Sequence, residues 1–404
     1  MKLSKHLKFC QAGIVAWFSS AGLVKADVIY SGLNNTTIPA DFTGVQIDVD
    51  GLNGWDLNPF FGGVGVANTD LFQPARTGTG NLDTLQNLPV GGTIGAGSLF
   101  STGYGGSQNH LGSTFTAGTD GYIGFKLNGN YGWIRVQFTA NTAGAVVRDW
   151  AYDTSGAPVN VGRIQQSAPV AGTQTVTLSP GVGETFALGS ALTNTGGNTN
   201  SLIKTGGGTT TLNGANTFSG TTTVSAGTLR LGGANALQNT SGISSTGGSL
   251  TLSGVGDRIN NSAPLTLSGG SLSSSGLSEA MGALTVGGGG GTTSVIDLAT
   301  GNSLLTFESA GSTAWSGDLE IWNWTGTRGQ GGGTDRLLFS SAAGNGNINL
   351  ANVEFFSDNG TTSLGTGMLV NQGGFTELVA VPEPSVIFLE LGIIGMVLHR
   401  RRRI

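Results

Sequence analysis

Oxygen-bearing side chains crowd one short stretch, Asp48-Val49-Asp50-Gly51-Leu52-Asn53-Gly54-Trp55-Asp56. Asp48, Asp50, Asn53 and Asp56 set hard oxygen donors on a glycine-punctuated loop, the ligand chemistry that Ca²⁺ prefers. The stretch lacks the spacing and the terminal glutamate of an EF-hand. Two readings therefore stand: a structural calcium loop, or a solvated turn in which Asp and Asn bond their own backbone. Catalytic parts are scarce elsewhere. Cys10 is the only cysteine, and of the three histidines only His110 lies between residues 27 and 381. A His-based triad or a zinc site has almost nothing to draw on, and neither Gly-x-Ser-x-Gly nor His-Glu-x-x-His occurs. Residues 287–291 are all glycine, but no Lys-Ser/Thr follows to make a phosphate loop. Any two acids could meet at the roughly 5–9 Å of a glycosidase pair, yet residues 169–310 hold only five acids and three bases. The expectation is a non-enzymatic protein.

The C-terminal stretch carries a different kind of chemistry, that of a peptide to be read and cut. Val381-Pro382-Glu383-Pro384-Ser385 precedes an apolar run over 386–398, then His399 and Arg400, Arg401, Arg402 and Arg403. The prolines favour an extended, readable motif, and the arginines hold the C-terminus on the cytoplasmic side of a membrane. As a helix the run spans about 20 Å, short of a roughly 30 Å hydrocarbon core, and Glu390 inside it adds cost. A transient anchor tolerates both. At the other end, Lys2, Lys5 and Lys8 precede an apolar stretch over 9–24 and the small-residue site Val24-Lys25-Ala26. Residues 1–26 read as a secretory signal cleaved after Ala26. The tail resembles a PEP-CTERM sorting signal. That resemblance implies an exosortase-type protease as partner, transient residence in the inner membrane, and release to the cell surface or a polysaccharide matrix.

Between these ends the composition specifies strands and corners. Gly supplies 72 of 404 residues, far above the roughly 7% of ordinary chains, without a Gly-X-Y period. From 27 to 381 there are 10 Lys/Arg against 21 Asp/Glu, so the body is acidic and unsuited to nucleic acid. Residues 202–231 hold three Thr/Val/Leu bursts, 209–212, 221–224 and 228–231, split by Gly, Asn and Ser. Branched residues suit a pleated strand, and Gly and Asn tolerate the corners. Each burst has too few apolar side chains for a core of its own, so successive rungs must stack into one. The line Lys204, Gly206, Gly208, Thr209, Leu212, Gly214, Asn216, Thr217, Gly220, Thr222, Val224, Gly227, Thr228, Leu229, Leu231 resembles the autotransporter-associated β-strand repeat of bacterial surface proteins.

The chain is therefore expected to be all-β. An antiparallel β-sandwich-like module over 27–167 holds all five tyrosines and two predicted hairpins, one turned at Asn128-Gly129 and one pairing 145–152 with 157–164. A right-handed parallel β-solenoid follows over 168–310, then a cap over 311–380, needed because a solenoid end exposes unpaired edges, then the transmembrane sorting tail 381–404. Alternation along 318–324 sends Leu319 and Ile321 one way and Trp322 and Trp324 the other. The leading expectation is an exported structural protein. The rival is an adhesin or carbohydrate-binding protein that stacks sugars on Trp322 and Trp324.

Overall fold

The computed structural model describes residues 27–381 except 70, 81, 102–104, 109–113 and 255. The signal at 1–26, His110, and the sorting tail from Pro382 to Ile404 lie outside the described residues. Among these residues the regular structure is β-strand with three short 3₁₀ turns. No helix among them is long and apolar enough to cross a membrane.

Two faces of parallel strands form the body. One stacks Thr173–Leu178, Thr199–Lys204, Thr222–Val224, Ile243–Ser245, Leu265–Leu267 and Leu284–Val286. The other stacks Thr185–Leu188, Thr209–Leu212, Thr228–Leu231, Ser249–Leu252, Ser271–Ser273, Thr293–Asp297, Asp318–Trp322 and Val353–Ser357. A third line is loop in the early coils, joined by the Leu237–Ile259 bridge. It becomes strand at Glu279–Met281, Leu304–Phe307 and Arg336–Phe339. This is the stacked architecture of a β-solenoid. Leu212, Leu231 and Leu252 sit in register and fully buried, as do Val224, Leu267 and Val286 on the facing sheet. Each such side chain contributes roughly 1.5–3 kcal/mol. A one-residue slip would turn Thr and Ser inward in its place, so the alternation fixes the register.

The N-terminal module pairs two sheets. The larger contains Asp120–Leu127, Asn130–Gln137 and Val146–Asp153, and the smaller Leu57–Phe60, Gly65–Asn68 and Gly105–Gln108. Leu57 and Val66 pack with Phe125, Ile134 and Val136 in one core. The Asn128-Gly129 hairpin forms with both residues at positive φ, 50° and 87°, as a twist-matched two-residue turn requires.

The second expected hairpin does not form. Asp153 gathers the N–H groups of Ser155 and Ala157 on one carboxylate oxygen, and Pro158 has no N–H to give to a ladder. Val159–Asn160 instead pairs with Thr93–Ile94, and Ile164–Gln166 pairs antiparallel with Thr173–Leu178. That second pairing carries the sheet across residue 168. Val28 meets Leu188 in parallel register, and Trp133, Ile164, Leu178 and Leu202 share one core. The module thus closes the first coil rather than hanging from it.

At the far end, the change expected at 311 arrives later. Parallel pairing continues through Asp318–Trp322 and Val353–Ser357, because Leu319 and Ile321 repeat the inward alternation of earlier rungs. The tryptophan-rich composition there marks wider coils, not a new fold. Antiparallel pairing starts with Thr362–Asn371, which borders both Val353–Ser357 and Thr376–Ala380, while Thr376–Ala380 covers Arg336–Phe339. These two strands occupy edges that would otherwise stay open.

Candidate functional site

The oxygen-rich loop is held by its flanks. Ile47 bridges Leu57, and the Asp56 N–H donates to the Ile47 carbonyl at 2.8 Å, so the loop 48–55 closes on itself. Asp48 Oδ1 accepts the Gly51 N–H at 2.7 Å, Asp50 Oδ1 the Leu52 N–H at 2.9 Å, and Asp56 Oδ2 the Val49 N–H at 2.8 Å. Asn128 at the hairpin turn donates to Asp50 Oδ2 at 3.2 Å. The self-bonded turn is therefore real. The same turns also aim one oxygen each of Asp48, Asp50 and Asp56 to within 4.8 Å of one another. Asn53 stands exposed at the loop tip with φ +63°. Asp56 is only 4% exposed. Burial, then the neighbouring charges of Asp50 and Asp48, push its carboxyl up to about 6. Such a set fits Ca²⁺, which takes six to eight oxygens and accepts carbonyls and water for the remainder.

The tryptophans do not form the expected outer pair. Asn323 adopts φ +59° and breaks the alternation after Trp322, a conformation Asn tolerates better than most residues. Trp324 consequently turns inward, 3% exposed, with its ring edge-on to Phe355 at 5.0 Å. It has no face free for a sugar. Trp322 remains half-buried on the outer side, donates to Glu320 Oε2 at 2.8 Å, and is covered by the turn at Gly360. A Cβ at Gly360 would lie 2.5 Å from the indole.

Two polar residues with structural roles lay unread in the repeat. Lys204 is fully buried, and its Nζ donates to the carbonyls of Thr205 at 2.7 Å, Gly206 at 2.9 Å and Ala226 at 3.0 Å. Burial pushes this ammonium down to about 8, and the three carbonyl dipoles favour its charged form. The clamp joins the corner of one coil to that of the next. Gly227, at φ +61°, must be glycine here, since a Cβ would fall 2.8 Å from Lys204 Nζ and 2.3 Å from the Gly208 oxygen. Asn216 bridges three coils: Oδ1 accepts the Leu192 N–H and Nδ2 donates to the Ala236 oxygen, each at 2.7 Å. Both residues stood in the motif, but only their burial gives them a task.

Residues 202–231 match the passenger-associated-transport-repeat family. The match takes in Lys204 and Asn216, the two residues that stitch successive coils together, and the buried Phe218. No curated protein and no solved structure matches the chain. A passenger-associated-transport-repeat on a stacked, all-β body points to an exported, passenger-type surface protein.

Proposed function

We propose that this chain is a non-enzymatic structural rod of the cell surface or extracellular matrix, delivered by an exosortase-type sorting system. The observation that carries the reading is the position of the sorting motif relative to the folded body. Leu378, Val379 and Ala380 are fully buried in the strand Thr376–Ala380, and Val381 after them is exposed, its N–H still bound to the Thr366 oxygen at 2.9 Å. The motif Val381-Pro382-Glu383-Pro384 thus starts at the exposed residue that directly follows the buried strand Thr376–Ala380, a position that suits cutting by a protease that leaves that strand in place. The arginines Arg400 to Arg403 serve as the membrane stop until cleavage. The acidic body supports an assembly free of nucleic acid, and polysaccharide is the matrix partner. Mass spectrometry of the C-terminus of the protein isolated from its own cells is expected to give a chain ending near residues 381–385. A native chain that still ends in Arg403-Ile404 overturns the sorting claim.

A structural calcium ion in the loop 48–56 is part of the same proposal, favoured by the convergence of three carboxylates. Without the ion, Asp56 titrates at about 6 when folded and at an ordinary carboxylate value when unfolded. The folded state then holds more protons in between, so the contribution of Asp56 to stability falls as pH rises from about 4 to about 6 and is constant above. Calcium is expected to raise the Tm at pH 7.5 and to lose that effect near pH 5. Asp56→Asn, which keeps an acceptor for Val49, should leave the calcium-free protein as stable or more so and abolish the calcium response. Equal melting curves with and without CaCl₂ at pH 7.5 would remove the ion from the account.

A further inference from the structure

Residues 169–310 contain three cations, and the fold treats them unequally. Lys204 is enclosed by carbonyls, and Arg258 is buried against Glu279 with Nη1 3.2 Å from Oε2. Arg230 alone projects from the strand Thr228–Leu231 into solvent, and among the described residues it has no ion-pair or hydrogen-bond partner. It stands in a groove of about 450 Å³ on the outer side of the second face, within the size range of small-ligand sites.

The walls of that groove are hydroxyls. Thr185, Thr209, Thr211 and Ser253 line it beside Arg230. Ser253 is engaged with the Leu231 carbonyl at 3.0 Å, but the hydroxyls of Thr185, Thr209 and Thr211 make no hydrogen bond among the described residues. Thr211 is 8% exposed as a residue, and its hydroxyl oxygen is not among the solvent-shielded orphan atoms, so what the residue exposes includes that oxygen. Each such hydroxyl offers one donor and two acceptor sites, so a group entering the groove can exchange their solvent contacts for direct hydrogen bonds. The corner end is bare backbone at Gly232 and Gly254. A Cβ at Gly254 would lie 2.2 Å from the Gly232 oxygen, so the close stacking of the two corners requires glycine there. Glu184, next to Thr185 in sequence, is already occupied by Arg163 at 2.7 Å.

We propose that this groove binds a carboxylate-bearing sugar unit of an acidic polysaccharide. The guanidinium fork matches a carboxylate in two parallel hydrogen bonds, and the three free hydroxyls match the ring hydroxyls next to it. The acidic body does not forbid such a ligand, because its distant charges are screened beyond roughly 8 Å at physiological salt. The site stands on its own geometry and does not depend on how the chain is sorted.

The test is calorimetric titration of the full-length protein with a short oligogalacturonate, with the neutral oligogalactan and inorganic phosphate as parallel arms. The oligouronide is expected to bind and to weaken with added salt. Arg230→Gln should cut its affinity by about tenfold or more, the value of a charge-assisted contact. Thr211→Val should cut it several-fold, while both variants keep the parent melting temperature. Absence of oligouronide binding overturns the proposal, and so does an affinity unchanged in Arg230→Gln. Binding of the neutral oligogalactan equal to that of the oligouronide removes the carboxylate from the assignment. Displacement of the oligouronide by an equal concentration of phosphate makes the groove a simple anion site and likewise overturns it.

Discussion

Replacing Asp149 with leucine is expected to destabilise the protein by about 3–5 kcal/mol, the cost of stranding a buried charge. Asp149 is fully buried on Val146–Asp153 and takes Arg135 on both oxygens, Nε at 3.0 Å and Nη2 at 2.5 Å. The Tyr30 hydroxyl donates to the same carboxylate at 2.8 Å, and Arg135 also reaches the Gln166 carbonyl at 3.3 Å. One carboxylate therefore ties together the strand Val28–Tyr30, the module's central hairpin and, through Arg135, the strand Ile164–Gln166 that enters the solenoid. Without it, Arg135 and Tyr30 are left buried with donors unmet. Urea denaturation should show a lower midpoint at an unchanged slope. The double variant Arg135→Met/Asp149→Leu should recover much of the loss, since removing both charges is far less costly than removing one. A single-variant loss below about 1 kcal/mol would show that the cluster is not what joins module to rod.

Lys204→Met is expected to cost about 3 kcal/mol. The methionine keeps the length and apolar stem of lysine but leaves the carbonyls of Thr205, Gly206 and Ala226 turned toward a group that cannot donate. The loss should be local as well as global. Amide exchange should accelerate first at the corners 205–208 and 225–228, ahead of the neighbouring rungs. Uniform destabilisation with both corners still protected would show that the carbonyls find water or each other, and that Lys204 is no clamp.

What could be read from the residues alone was whatever depended on neighbours in sequence. The bursts ending at Leu212, Val224 and Leu231 form strands where the branched residues and glycines put them, and Asn128-Gly129 turns as its type demands. What escaped depended on partners far along the chain. The segment 157–164 has the alternation of a strand, but Pro158 and the Asp153 turn send it to other partners. Trp324 has the outward parity of Trp322, and one left-handed residue, Asn323, reverses it. The acids at 48, 50 and 56 left a turn and a metal loop both open, and the fold shows the self-bonded turn, with one oxygen of each acid within 4.8 Å of the others. Arg230 and Lys204 were two cations in a count until burial separated them.

The stack is stoppered at both ends, by Val28–Tyr30 and Ile164–Gln166 at the start and by Thr362–Asn371 and Thr376–Ala380 at the finish. Among the described residues, a second copy arriving head-on at the finish meets these antiparallel strands on the second face and the third line rather than an open parallel rung, which opposes growth of the rod as a fibre by added rungs. Its length is set once, by how many coils the gene encodes. Any coat built from such units has to be laid flank to flank, with the long sides of the rods as its seams.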